Sequence, residues 1–170
     1  MRIITVVSEL GVNKIRFTGG EPLLRKDLVE LVEKTSLISG INSVNMTTNG
    51  VLLKQYAADL QGSGLSGINI SIDTLNPEKY IQITRRDEVE GALEGLEAAK
   101  TAGILSIKIN VVALRGFNDN EIVKFVELTK NYPLTVRFIE LMPFDAHQIW
   151  KTGKFFSSED IQKELKDHFP

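Results

Sequence analysis

Apolar residues recur along the chain with two different periods, and each period predicts one kind of element. In five short runs the apolar residues alternate with polar ones, which is typical of β-strands. We predict strands over Lys14 to Thr18, Ser43 to Thr47, Gly67 to Ile72, Ser106 to Val112 and Thr135 to Leu141. Between these runs apolar residues lie three and four positions apart, which predicts amphipathic helices. The helical sets are Leu28, Leu31, Val32 and Thr35, then Leu53, Tyr56, Ala57 and Leu60, then Val89, Ala92, Leu93 and Leu96, then Ile122, Phe125, Val126 and Thr129.

Residues that stop or cap helices flank these sets. Asp27 and Asn120 stand where an N-cap is expected, and Ser158 can cap a last helix over Glu159 to His168. Glycines follow three of the helices at positions suited to a C-terminal stop, namely Gly40, Gly64 and Gly103. The chain therefore reads as repeated β-α units.

Five strands in one direction with helices between them predict a parallel sheet, either doubly wound or curled into a barrel. One strand face is apolar, consisting of Ile15, Phe17, Val44, Met46, Ile68, Ile70, Ile72, Ile107, Ile109 and Val111. The other is polar, consisting of Arg16, Thr18, Asn45, Thr47, Asn69, Ser71, Asp73, Lys108 and Asn110. A doubly wound sheet and a closed barrel both bury apolar residues on the two faces. We therefore predict an α/β fold, a partial TIM-like barrel whose inner face holds a polar ligand; a self-contained hydrogen-bond network is the alternative.

The composition is that of one globular domain spanning residues 1–170, with 42% hydrophobic and 25% charged residues. A net charge of −2 argues against the broad basic surface of a nucleic-acid binder, although it allows a local basic pocket. No apolar run reaches the length of a membrane span. Met1 to Val7 has too short an apolar core for a secretory signal and reads as the end of a helix before Gly11. We expect a cytoplasmic protein that binds neither nucleic acid nor membrane.

Cysteine is absent from the chain, which excludes disulfides and thiolate-held metal or cluster sites among its own residues. Only two histidines are present, His147 and His168. We interpret both as surface or packing residues because two imidazoles fall short of a typical metal site. No metal site is predicted within this chain.

Candidate chemistry lies at the C-terminal ends of the predicted strands, where α/β folds bind ligands. After the first strand, Gly19 and Gly20 offer backbone that can lie against a ligand, and Glu21 offers a carboxylate suited to an ammonium group. The other strand ends read Thr47-Thr48-Asn49-Gly50, Ser71-Ile72-Asp73, Lys108-Ile109-Asn110 and Ile139-Glu140-Leu141-Met142-Pro143. Each is ambiguous by itself, since glycine pairs and Thr-Asn-Gly also form ordinary turns.

Taken together and in this order, these segments resemble the radical S-adenosylmethionine (SAM) enzymes. Within that group, the residues of these motifs resemble the GTP 3',8-cyclase family most closely. The resemblance runs from about Leu10 to Phe169. Its segments are Lys14-Ile15-Arg16, Thr47-Thr48-Asn49-Gly50, Ile70-Ser71-Ile72-Asp73 and Arg137-Phe138-Ile139-Glu140 with Met142-Pro143. The resemblance implies a lyase that converts GTP to (8S)-3',8-cyclo-7,8-dihydroguanosine 5'-triphosphate in the first step of molybdenum cofactor (molybdopterin) biosynthesis.

The resemblance also implies roles for single residues. The SAM-binding residues carried over in this way are Gly19, Gly20, Glu21, Ser71, Asn110 and Met142. The GTP-binding residues are Arg16, Thr47 and Lys108, which strand alternation independently turns toward the polar face. No catalytic residue is assigned.

The chemistry implied by the family is reductive cleavage of SAM at a 4Fe-4S cluster, giving a 5'-deoxyadenosyl radical that abstracts hydrogen from the ribose of GTP. The implied partners are GTP, an electron donor for the cluster and a second copy in a homodimer of the parent protein. In that family, cysteines ahead of this segment hold the first cluster and a C-terminal region holds a second. Because this chain has no cysteine, we expect the central segment of a longer enzyme that is inactive alone.

Three other functions stay open. The chain can belong to a radical SAM enzyme with another substrate, which need not keep Arg16 and Lys108 on the inner face. It can be an aldolase-like barrel in which Lys108 forms a Schiff base. It can also be a cluster-free scaffold that only binds SAM or a partner protein.

Overall fold

The computed structural model describes residues 1–142 and 155–169. Within them the chain forms five strands and seven α-helices, with two short 3-10 helices at Pro22–Leu24 and Asp119–Glu121. The strands are β1 Lys14–Phe17, β2 Ser43–Thr48, β3 Leu65–Ser71, β4 Ser106–Ala113 and β5 Leu134–Glu140. The helices are α1 Arg2–Glu9, α2 Leu28–Ser36, α3 Leu53–Gly62, α4 Pro77–Thr84, α5 Val89–Thr101, α6 Ile122–Asn131 and α7 Ser158–His168.

The five strands form one sheet in the order β1-β2-β3-β4-β5. β1 pairs with β2 in parallel, with Arg16 opposite Asn45. β2 pairs with β3 in parallel, with Thr47 opposite Asn69. All five predicted strands are therefore confirmed, together with the α/β class, and each observed boundary lies within two residues of its prediction.

The predicted alternation between an apolar and a polar strand face is visible in the burial of the side chains. Met46, Ile70 and Ile109 are fully buried. On the other parity Arg16 and Ser71 are exposed, and Lys108 and Asn110 are half-buried. Two asparagines at this parity, Asn45 and Asn69, are nevertheless only 7% exposed. The apolar face thus builds the core, while the polar face keeps reactive side chains accessible.

The chain divides into two compact units, which are residues 1–71 with 90–108, and residues 72–89 with 109–170. In the first unit, α2 packs on β2 and α3 on β3. Val32 and Leu60 from these helices are fully buried. Helix α5 approaches the turn after β2 so closely that a Cβ on Gly95 would overlap the backbone oxygen of Gly50. Glycine is required there because two backbones touch.

The second unit has its own core between α6, α7 and β5. Ala113, Ile122, Phe156 and Ile161 form a buried cluster on which Phe138 and Leu165 pack. Phe138 also meets the buried Phe125 edge to face, with ring centroids 6.4 Å apart. The sequence-based expectation of one domain stays a prediction.

The predicted helices are confirmed, whereas two of the three predicted N-caps are wrong. Ser157, and not Ser158, caps α7; its hydroxyl accepts a hydrogen bond from the Asp160 amide in a capping box. Asp27 occupies the N-cap position of α2 as predicted, but its side chain makes no capping hydrogen bond and pairs with Arg25 at 2.7 Å instead. Asn120 lies inside the second 3-10 helix and does not cap α6.

Three further features complete the comparison with the sequence. The predicted stops at Gly40, Gly64 and Gly103 have φ of +89°, +94° and +78°, which favours glycine.

Helix α4 was not predicted. Pro143 and His147 lie outside the described residues. Among the helices in the described ranges, none has the length and apolar character needed to cross a bilayer.

Candidate functional site

The loop after β1 begins with an unusual backbone and ends in a short helix. Gly19 has φ of +150°, a conformation that side chains disfavour, so the turn there requires glycine. Glu21 precedes the 3-10 helix Pro22–Leu24, whose first residue is proline. Proline suits this position because its missing N–H would have no helical partner. Leu23 is then buried at 2% exposure and anchors the loop exit.

The carboxylate of Glu21 connects this loop to the end of β2. Its Oε1 accepts hydrogen bonds from the Thr48 hydroxyl at 2.6 Å and the Leu23 amide at 3.1 Å. Its Oε2 accepts from the Asn49 amide at 2.8 Å. An ionised carboxylate offers about four acceptor sites, so three donors leave room for about one more. Glu21 is therefore a brace between two strand ends as well as a candidate ligand.

These strand ends surround a cleft of about 370 Å³, a size suited to a small molecule. It is lined by Thr18, Gly19, Gly20, Glu21, Thr47, Thr48, Asn49 and Ser71. Four residues predicted for SAM and one predicted for GTP thus lie in one cleft. A Cβ built on Gly20 meets no atom within 4 Å. The described residues therefore leave open space beside Gly20, where a ligand can approach the backbone.

The Thr47 hydroxyl accepts hydrogen bonds from two neighbouring polar side chains of the first unit. Its hydroxyl accepts from the Arg16 guanidinium at 3.4 Å and from the Asn69 amide group at 3.5 Å. Arg16 is exposed, so its remaining N–H donors can reach a ligand. Lys108 belongs to the same unit but is not among the described residues that line the cleft.

Two predicted SAM residues, Asn110 and Met142, belong to the second unit. The Asn110 side-chain oxygen accepts from Arg137 Nε at 2.9 Å, so β5 orients a side chain of β4. Met142 is 64% exposed. The roles of these two residues stay predictions.

Two carboxyl groups of the second unit have perturbed pKa values: Asp73 in the loop after β3, and Glu121 at the end of the second 3-10 helix, which accepts hydrogen bonds from that loop. Burial raises the pKa of Asp73, although the Val112 amide donates to its Oδ1 at 2.8 Å. Burial also disfavours ionisation of Glu121, but hydrogen bonds from Lys79, Leu75 and Thr74 outweigh it and lower the pKa of Glu121 overall. Glu121 is 3% exposed. It braces this loop as Glu21 braces the loop after β1.

A family profile described as "Radical SAM superfamily" matches residues 1–129, which include the whole cleft. This chain belongs to the radical SAM superfamily. The predicted family is therefore confirmed. The match also covers β1 to β4 and most of α6, so the superfamily assignment and the described fold concern the same part of the chain.

Within the superfamily, the chain is similar to curated proteins named GTP 3',8-cyclase. The chain is 48% identical over 169 residues to a GTP 3',8-cyclase of Chlorobaculum tepidum, covering 99% of this chain and 51% of the relative. It is 47% identical over 164 residues to a GTP 3',8-cyclase of Peptoclostridium acidaminophilum, covering 96% and 50%. The chain thus spans about half the length of the curated relatives it matches.

Solved structures of other proteins share the fold. A domain of pyruvate-formate lyase-activating enzyme from Bacteroides vulgatus matches with a TM-score of 0.67 at 19% identity, covering 92% of this chain and 91% of that one. Coproporphyrinogen III oxidase from Escherichia coli matches with a TM-score of 0.64 at 15% identity, covering 97% and 42%. At these identities the likeness concerns the fold alone.

The predicted site omitted residues that the structure places within it. Thr18, Thr48 and Asn49 line the cleft, and the last two hold Glu21. The sequence signal was the whole Thr47-Thr48-Asn49-Gly50 segment, of which only Thr47 received a role. Among the described residues no group of three or more His, Cys, Asp or Glu side chains is placed to hold a metal ion.

Proposed function

We propose that this chain forms the SAM- and GTP-binding part of a GTP 3',8-cyclase. The observation that carries the proposal is the cleft, whose lining includes four residues that the motif resemblance assigned to SAM and one, Thr47, that it assigned to GTP. The support from relatives is the 48% identity to a protein of that name across 99% of the chain. Conversion of GTP to its cyclic product is proposed for a protein that contains this segment.

In this proposal the glycine loop holds the methionine end of SAM. Gly20 leaves open space where a ligand can approach the backbone, and backbone groups can pair with the amino and carboxylate groups of methionine. The acceptor site left on Glu21 suits the ammonium, and the exposed Ser71 hydroxyl at the end of β3 supplies a neutral hydrogen bond. Asn110 and Met142 belong to the same proposed set from the other unit.

The proposed GTP ligands are Arg16, Thr47 and Lys108. Arg16 presents a planar fork that can bind phosphate with two hydrogen bonds, whereas lysine acts as a point charge. Thr47 fixes the Arg16 guanidinium through its hydroxyl. Because the chain carries a net charge of −2, attraction of a triphosphate must come from such local cations and not from the overall field.

A 4Fe-4S cluster does not fit the residues present, because cysteine thiolates hold such clusters and this chain has none. Within the proposed function the cluster ligands would therefore lie outside the chain, where such a cluster would supply the electron for cleavage of SAM and would itself need an electron donor. The segment itself binds, orients and shields the ligands from water.

The experiment separates the two ligand sets with one substitution in each. Lys108→Ala should raise the dissociation constant of GTP about tenfold or more by removing a charge-assisted contact. It should leave the affinity for SAM nearly unchanged. Gly20→Ala should instead weaken SAM binding and leave GTP binding nearly unchanged, since a Cβ at this position meets no protein atom within 4 Å but would occupy the ligand space. Calorimetry with each ligand measures both constants.

Lys54→Ala is the matched control, because Lys54 is an exposed lysine that pairs with Glu94 on the helical surface at 3.1 Å. It should alter neither affinity. If Lys108→Ala weakened SAM and GTP equally, Lys108 would support the barrel and the substrate role would be withdrawn. The chain supplied with SAM, reductant, iron and sulfide should form no 5'-deoxyadenosine, and steady formation would contradict the need for external cluster ligands.

A further inference from the structure

We propose that Thr48 is a positioning residue for the SAM-binding loop and that it acts through the carboxylate of Glu21. The inference rests on the proposed function. Thr48 is 3% exposed at the end of β2. It has no role in the motif resemblance, which assigns only its neighbour Thr47.

The hydrogen bonds of the Thr48 hydroxyl have a fixed direction. Its oxygen accepts from the Gly50 amide at 3.1 Å, and that amide can only donate. The hydroxyl proton is therefore free to point at Glu21 Oε1, 2.6 Å away, and an ionised carboxylate can only accept. A short bond from a hydroxyl to a carboxylate is charge-assisted and stronger than a neutral one. Thr48 thus fixes the orientation of one carboxylate oxygen.

The glycines in front of Glu21 have no described neighbour on the side where a Cβ would stand. Built Cβ atoms on Gly19 and Gly20 each meet nothing within 4 Å in the described protein. Glutamate also loses considerable rotamer freedom when its carboxylate is held in place. The hydrogen bonds of Glu21 therefore help to hold the Gly19-Gly20 backbone, and among the described residues Thr48 is the one side chain that donates to Glu21.

The consequence is a loop that is ordered before the ligand arrives. A ligand that binds a preorganised loop does not spend binding free energy on ordering it. Removing the Thr48 hydroxyl should leave Glu21 with two amide donors, Leu23 on Oε1 and Asn49 on Oε2, and should therefore hold Oε1 less firmly. SAM should then bind more weakly, although Thr48 need not touch it. Thr47 and Arg16 keep their own contact, so GTP affinity should change little.

The test compares Thr48→Val, which keeps the shape and removes the hydroxyl, with Thr48→Ser, which keeps the hydroxyl. Both are made in the 170-residue chain, and binding of SAM and of GTP is followed by amide NMR, which detects weak affinity. Thr48→Val should raise the SAM dissociation constant about five- to tenfold, in keeping with the loss of one ordering hydrogen bond. Thr48→Ser should stay within about twofold of the unsubstituted chain by the same reasoning.

Hydrogen exchange without ligand gives a second readout. The amides of Leu23 and Asn49 donate to Glu21, so both should exchange faster in Thr48→Val, whereas the strand amide of Ile70 should not. If Thr48→Val fails to fold, Thr48→Cys takes its place, because a thiol is similar in size and a weak donor.

The outcomes separate the two proposals. If the unsubstituted chain binds SAM and Thr48→Val binds it equally well, the positioning role is overturned while the proposed function stands. If SAM and GTP weaken together and exchange rises throughout the first unit, Thr48 has a structural role only, which also overturns the inference. If the unsubstituted chain binds no SAM, the proposed function and this inference both fall.

Discussion

Replacing Glu121 by glutamine should destabilise the second unit, because its two carboxylate oxygens face donors. Oε2 accepts from the Leu75 amide at 2.7 Å, and Oε1 accepts from Lys79 Nζ at 2.8 Å. The Thr74 hydroxyl lies 2.9 Å from both oxygens. Whichever oxygen becomes an NH₂ group, that group then faces a donor. One buried donor therefore loses its acceptor.

The magnitude follows from the burial of the two ionic partners. The side chains of Glu121 and Lys79 are 4% and 23% exposed. A hydrogen bond to a charged group contributes about 1.5 to 3 kcal/mol, and removing one partner of a buried ion pair costs about 3 to 5 kcal/mol. Lys79 can turn toward solvent, so we expect Glu121→Gln to lower the free energy of unfolding by about 2 to 3 kcal/mol.

Urea denaturation followed by circular dichroism measures this change, with Glu127→Gln as the matched control. Glu127 lies on α6, is 48% exposed, and pairs with Lys130 at 3.5 Å. Such a surface pair should contribute less than about 1 kcal/mol. A loss of similar size in both variants would refute the argument from burial.

The stabilisation should also depend on pH in a defined direction. Hydrogen bonds lower the pKa of Glu121 below its ordinary value of 4.5 despite burial. The stabilisation is therefore fully present above that value and is lost as the pH falls through the lowered pKa of the folded state. The difference between the unsubstituted chain and Glu121→Gln should shrink on acidification, and a difference that grew would contradict the account.

Three further predictions concern stability and association. Burial raises the pKa of Asp73 above its ordinary value of 3.8, so Asp73→Asn should be more stable than the unsubstituted chain in urea at pH 7. That advantage should narrow as the carboxyl protonates, and widening on acidification would contradict it. Gly95→Ala should destabilise the chain by about 2 kcal/mol or more, because the new Cβ would overlap backbone. Gly62→Ala is the control: its Cβ meets no atom within 4 Å, so the change should stabilise α3 by about 0.5 to 1 kcal/mol. Equal shifts in the melting temperature of the two variants would refute the distinction. Val6 and Leu10 are 53% and 79% exposed on and beside α1, so changing both to lysine should reduce self-association in sedimentation, and an unchanged distribution would exclude this surface.

The fold could be predicted from the sequence because strand and helix periods differ and both recur several times. Met46 and Ile70 alternate with polar residues on strands that the structure confirms. Helix α4 was not predicted because its sequence has little apolar periodicity. Tyr80 is the one buried residue of this helix. Its signal was local, namely Asn76 as N-cap with Pro77 in the first helical position.

The candidate site could be predicted only in part, because hydrogen-bond partners distant in sequence cannot be found from spacing. Glu21 was recognised as a ligand candidate, yet its donors on Thr48 and Asn49 lie 27 and 28 positions away. Glu121 resembles an ordinary acidic residue near a helix start, and its partner Thr74 is 47 positions away. Residue type predicted which groups could bind, and the fold decided which of them are already bound to each other.

Titration of the isotope-labelled 170-residue chain with SAM, followed amide by amide in NMR spectra, tests the central claim most directly. The account predicts that shift changes reach saturation at Gly19, Gly20, Glu21 and Ser71, with an affinity that can be as weak as millimolar. GTP added in a separate titration should instead shift residues around Arg16, Thr47 and Lys108. Amides of the glycine loop that stay unchanged at saturating SAM, or changes confined to surface residues elsewhere, would contradict the assignment of the cleft.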